Sequence, residues 1–162
     1  MKKLFVLLFV GSILASCGGS GYTTDKEEAL ELKKEQTENL KSYYEDALEI
    51  KTDFVADEKE ILADYGGKEE TLIKKAKTKD EKALDALADL RNLQMQKSKD
   101  LRELGRKTED FDNALSRSIS DINRINEAKD LKAWTKAIAA EDKIQDDLGE
   151  AHEKAEGKLK KD

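Results

Sequence analysis

The sequence predicts an all-α protein: an elongated antiparallel bundle of three long helices, or four if the last run breaks near Asp130. Three observations predict it. The 162 residues contain no proline, so no position forbids a helix on backbone grounds. Charged residues make up 41% of the chain, and Glu and Lys recur three or four positions apart, the spacing that sets opposite charges side by side on a helix surface. Apolar residues recur in steps of three, four and seven, the period of a helix with one buried stripe rather than the alternation of a strand.

The first run begins where Thr24 and Glu27 stand in the capping-box relation, ahead of Ala29 and Leu30. Along it Leu40, Ala47, Phe54 and Ile61 recur every seven residues, and Tyr43, Tyr44, Leu48, Ile50, Val55, Leu62 and Tyr65 widen the stripe. The stripe stops at Gly66 and Gly67, a pair that costs a helix interior roughly 2 kcal/mol relative to alanine and readily takes positive φ. A chain reversal is expected there.

The second run carries Ile73, Ala76, Ala83, Leu87, Leu90, Leu101 and Leu104 and ends at Gly105, the residue type that most often closes a helix. Within it Thr78 and Glu81 repeat the capping-box spacing, which marks a break or kink near Thr78. The third run starts at Thr108, with Glu109 and Asp110 suited to the positive end of a helix dipole. It continues through Phe111, Leu115, Ile119, Ile122 and Ile125. Asp130 is a candidate cap for a fresh start. Beyond it Trp134 and Ile138 lead to Ala137, Ala140, Ile144, Leu148, Ala151, Ala155 and Leu159, an eleven-residue rhythm that implies straight or slightly right-handed packing. With turns at Gly66 and Gly105 the rod would measure about 55 to 65 Å, its core rich in alanine and leucine.

The chain opens differently. Met1, Lys2 and Lys3 precede the apolar stretch Leu4 to Val10, then Gly11, Ser12 and Ile13, the charged and apolar regions of a secretion signal too short to span a hydrocarbon core of ~30 Å. Leu14, Ala15, Ser16 and Cys17 follow. They resemble the lipobox of bacterial lipoproteins, an aliphatic residue and two small ones before the cysteine. The resemblance implies diacylglycerol on Cys17 and cleavage before it, so that two or three acyl chains, at ~0.8 kcal/mol per buried methylene, hold the protein to a membrane.

The expected organisation is a signal peptide over 1–16, a lipidated cysteine and flexible Gly/Ser tether over 17–23, and the bundle over 24–162. An aspartate directly after such a cysteine resembles an inner-membrane retention signal. Gly18 stands there instead, so the expected site is the outer membrane, facing the periplasm, in a Gram-negative host. In a Gram-positive host it is the extracytoplasmic face of the cytoplasmic membrane.

Removal of Lys2 and Lys3 with the leader takes the net charge from −6 to −8, a balance that opposes nucleic-acid phosphates and anionic lipid head groups. Cys17 is the sole cysteine, which excludes a disulfide framework and a cysteine metal cluster. His152, the only histidine, stands four residues before Glu156, and two ligands on an acidic helix make at most a weak metal site. Ser116, Ser118 and Ser120 have no histidine nearby in the pattern, so a serine nucleophile is not supported.

Trp134 with Lys132 and Lys136, and the pair Tyr43 and Tyr44, are candidate peptide- or glycan-binding aromatics, although their helical spacing is that of core residues. No catalytic residue, cofactor or metal is expected. The expected partners are the membrane, through Cys17, and either an envelope protein or a second copy. The expected role is a scaffold or protein-binding module, with a holdase chaperone or small-ligand carrier as the alternative; the alternative requires a widened apolar cleft between helices, the scaffold a tightly packed core.

Overall fold

A computed structural model describes residues 21–159. Cys17, the leader before it and most of the expected tether lie outside these residues. Among the described residues there is no strand. The elements are α1 (Lys26–Leu62), one 3-10 turn (Ala63–Tyr65), α2 (Glu69–Lys77), α3 (Glu81–Ile125) and α4 (Ala128–Leu159). The all-α bundle of long helices that the periodicity predicts is the architecture observed, but its turns lie elsewhere.

The cap of α1 is Asp25 rather than Thr24. The Asp25 carboxylate accepts from the Glu28 backbone N–H at 2.9 Å, and Thr23 takes the other half of the arrangement by donating its hydroxyl to Glu28 at 2.6 Å. The capping chemistry expected of Thr24 and Glu27 is thus present one residue further on.

Gly66 and Gly67 do take left-handed φ, +64° and +71°, yet they make a jog and not a reversal. α1 runs antiparallel to α3, with Gln36 bonded to Asp112 and Lys97 lying over the Phe54 ring. α2 also runs antiparallel to α3, joined to it by a tight turn and pinned by the Glu69–Arg91 ion pair. Hence α1 and α2 point the same way, one after the other along a single partner. The reversal falls at Thr78–Asp80, where Lys79 takes a left-handed φ of +62° and Asp80 caps α3 by accepting from the Ala83 N–H. The break near Thr78 is real; the cap is two residues later.

Gly105 is not a helix end, and Thr108 is not a start. α3 runs unbroken through both for 45 residues, about 68 Å. An interior glycine costs only ~1 kcal/mol, and the apolar stripe of Leu101, Leu104, Phe111 and Leu115 continues across it, half-buried or buried. The second reversal lies at Asn126 and Glu127, so the break expected near Asp130 occurs just before it, and Asp130 sits in the first turn of α4.

α4 returns parallel to α1. The pairs Lys26–Trp134, Thr37–Glu141, Tyr44–His152 and Lys51–Glu156 climb together along both helices. Its buried face does not follow the eleven-residue rhythm, since Ala140, Ile144 and Ala151 are exposed. The face turned inward is Leu131, Trp134, Ile138, Glu141, Gln145, Leu148, His152 and Leu159, a seven-residue pattern. Polar residues occupy several of its positions, which hid it from a search for apolar periodicity.

Two apolar clusters close the ends of the rod. Leu62, Tyr65, Leu72, Ala76, Ala83 and Leu90 gather at the α2 end. Ala29, Ile122, Leu131, Trp134 and Ile138 gather where α1 begins and α3 turns into α4.

Candidate functional site: the polar seam and its neighbouring groove

Between the apolar ends, α1 meets α4 through polar side chains. Lys33 occupies a position of the seven-residue repeat that runs on through Leu40, Ala47 and Phe54, and it is 6% exposed. Its ammonium has three protons and three partners: Asp142 at 2.8 Å, Gln36 at 2.9 Å and Gln145 at 3.0 Å. Gln145 in turn donates to Gln36 and to the Thr37 hydroxyl, which lies 3.0 Å from Glu141. Gln36 also donates to Asp112 of α3 at 2.7 Å, so one layer of side chains joins all three long helices. Among the described residues no buried side-chain nitrogen or oxygen is left without a partner. That completeness is the condition for a polar layer to survive burial.

Two turns further on, the Tyr44 ring stacks on His152 with centroids 4.5 Å apart, and Tyr43 meets Tyr44 edge-on. His152 Nε2 lies 2.6 Å from Glu156, whose carboxylate is also ion-paired to Lys51. The Lys51 ammonium, acting chiefly through its hydrogen bond, holds the Glu156 carboxyl below the usual carboxylate range. His152 and Glu156, the pair weighed as a metal site, are therefore brought together, with a lysine rather than a third ligand beside them. Among the described residues, no group of three or more side chains with metal-binding chemistry gathers anywhere.

The other sequence candidates separate cleanly. Trp134 is buried, and its indole N–H donates to the Lys26 carbonyl at 2.8 Å, so it is a core residue. Tyr43 and Tyr44 are half-buried in the seam. Ser118 is buried and accepts from the Thr23 backbone N–H at 2.8 Å while donating to the Ala114 carbonyl, which fastens the chain before α1 onto α3. Lys33, Gln36, Thr37, Glu141 and Gln145 escaped sequence reasoning. The available signal was a gap in the apolar repeat, a lysine seven residues before Leu40.

Beside Lys51 and Glu156 a groove of about 630 Å³ opens between the last turns of α1 and α4. Phe54, Val55, Leu62 and Leu159 supply its apolar walls, and Lys51, Lys59 and Lys97 line it together with the carboxylates of Glu58 and Glu156. None of the described helices is long and apolar enough to cross a membrane. No protein-family model, curated protein or solved structure matches the chain.

Proposed function

We propose that this protein is a lipid-anchored, non-catalytic scaffold or protein-binding module of the bacterial envelope. The observation that carries the reading is the sequence Leu14-Ala15-Ser16-Cys17 directly after a charged and then apolar leader. The geometry is compatible with it: Gly21 to Thr23 lie packed against α3, so a folded rod begins four residues after the lipidation site. The seam supports the non-catalytic half of the reading, because its acids and bases neutralise one another within the bundle and set helix register. Replacing Cys17 with Ser is expected to move the protein from the detergent phase to the aqueous phase in phase partitioning. Retention in the detergent phase contradicts lipid anchoring. In-cell cross-linking of the anchored protein is expected to give one reproducible envelope partner or a defined homo-oligomer.

The groove beside Phe54 favours a second reading, a carrier of small amphiphiles, in which apolar walls take a chain and Lys97 an acid group, Lys51 being already paired with Glu156. Saturable uptake of a fluorescent fatty acid, abolished by Phe54→Trp, supports the carrier; uptake indifferent to that substitution removes it.

A further inference from the structure

All five arginines of the chain, Arg91, Arg102, Arg106, Arg117 and Arg124, lie on α3, and all five are exposed. Their steps are eleven, four, eleven and seven, each close to a whole number of helical turns. At 3.6 residues per turn they fall within an arc of about 80° and along about 50 Å of one helix. Lys99 lies on the same line. α1, by contrast, carries twelve acids against six lysines. The net charge of the chain thus conceals one cationic stripe on an acidic rod.

Two of the arginines have acidic neighbours, Arg91 with Glu69 and Arg124 with Asp121, while Lys99 leans toward Glu103 at 3.8 Å. Arg102, Arg106 and Arg117 have no ion-pair partner among the described residues. Glu109 and Asp110 interrupt the stripe and divide it into two cationic stretches. Met95, 64% exposed, sits between the cations of the first. Arginine's planar fork matches phosphate oxygens two at a time, a reason to find arginine rather than lysine on a phosphate-facing surface.

The position of the anchor says what this stripe faces. A Cβ on Gly21 would lie 3.1 Å from the Phe111 ring and 3.4 Å from Ala114, so the chain leaves the folded part level with the middle of the stripe, between Arg106 and Arg117, but on the flank of α3, about a third of a turn round from the arginines. The four residues back to Cys17 reach at most about 14 Å. From Phe111 to Ile125, the foot of the rod, α3 rises about 21 Å. A rod standing on that foot would hold Cys17 several ångströms above the surface its lipid must enter, and a rod standing on its other end would hold it further still. Lying on its side, the rod meets the reach of the tether.

We infer that the arginine face of α3 docks on the phosphate groups of an anionic phospholipid bilayer, laying the rod along the membrane beside its own anchor. This rests on the lipidation of Cys17 proposed above. The lipidated full-length protein, carrying one fluorophore on Met95→Cys or on Ala139→Cys of α4, is reconstituted on vesicles of phosphatidylcholine, with or without phosphatidylglycerol, that bear a headgroup quencher. Once Cys17 is a thioether the introduced thiol is the only free one.

On the anionic vesicles, quenching at position 95 is expected to exceed that at 139 several-fold and to fall toward it in high salt. The same loss is expected in Arg102→Glu/Arg106→Glu, with flotation on neutral vesicles and the helical melt unchanged. Equal quenching at the two positions, or quenching indifferent to the double substitution, overturns the inference and assigns the stripe to an acidic protein partner. Failure to float on neutral vesicles overturns the anchor itself, and the inference with it.

Discussion

The two apolar clusters, Leu62 with Tyr65, Leu72 and Leu90 at one end and Ala29 with Ile122, Leu131 and Trp134 at the other, differ in kind from the stretch between them, where Lys33, Thr37, Gln145 and Lys51 cross to their neighbours. Apolar contact is strong but indifferent to small slides of one helix past another. Hydrogen bonds between fixed positions are weak in net terms but exist in one register only. The comparison assigns cohesion to the ends of the rod and alignment to its middle.

The strongest way to break that division is at an end. Trp134 is buried in the cluster where all three long helices meet, and Trp134→Ala is expected to cost about 3–5 kcal/mol in denaturant unfolding. A loss below about 1 kcal/mol would show that the ends do not supply the cohesion. In the middle, Lys33→Ala takes a buried ammonium away from its three partners and leaves Asp142, Gln36 and Gln145 short of one contact each, for an expected loss of about 1–3 kcal/mol. Lys33→Leu is expected to recover much of that stability while loosening register, read as broadened distances between spin labels on α1 and α4. Unchanged distances would deny the seam its aligning role.

The glycines sharpen the same contrast and show what sequence could disclose. The helical class, the repeat Leu40, Ala47, Phe54 and Ile61 in α1, and the break near Thr78 were all legible, because each depends on local spacing. Gly66 and Gly105 were read alike, as ends, because glycine lowers helix stability wherever it stands. What separates them is the partner helix: at Gly105 the apolar stripe on both sides lies against α1, and no local rule sees α1. The seam was illegible for a related reason, since a lysine is admitted to a core position only by glutamines and an aspartate more than a hundred residues away, or three residues along the same helix.

Gly105→Ala, at a helical site with open space around it, is expected to raise stability by about 0.5–1 kcal/mol. Gly66→Ala, at φ +64°, is expected to lower it by about 1–2 kcal/mol. Thermal melts of the two variants moving in the same direction would contradict the continuous α3.

The smallest expected effect concerns acid. Glu156 is held below its ordinary value by Lys51, so its contribution to stability is complete above about pH 4.5 and is lost as pH falls through its lowered value in the folded state. The sign follows from proton counts: in that window the unfolded chain binds more protons at this site than the folded one, so acid favours unfolding. Because the pair is about one-quarter exposed, it is worth no more than about 1 kcal/mol. Glu156→Gln is therefore expected to unfold slightly more easily than the parent at neutral pH, with the two melting temperatures converging as acid protonates Glu156 in the folded state. A difference that persists undiminished in acid would mean that Glu156 stabilises the bundle by packing on Tyr44 and His152 rather than by its charge, and would move this end of the seam from the aligning middle into the cohesive class of contacts.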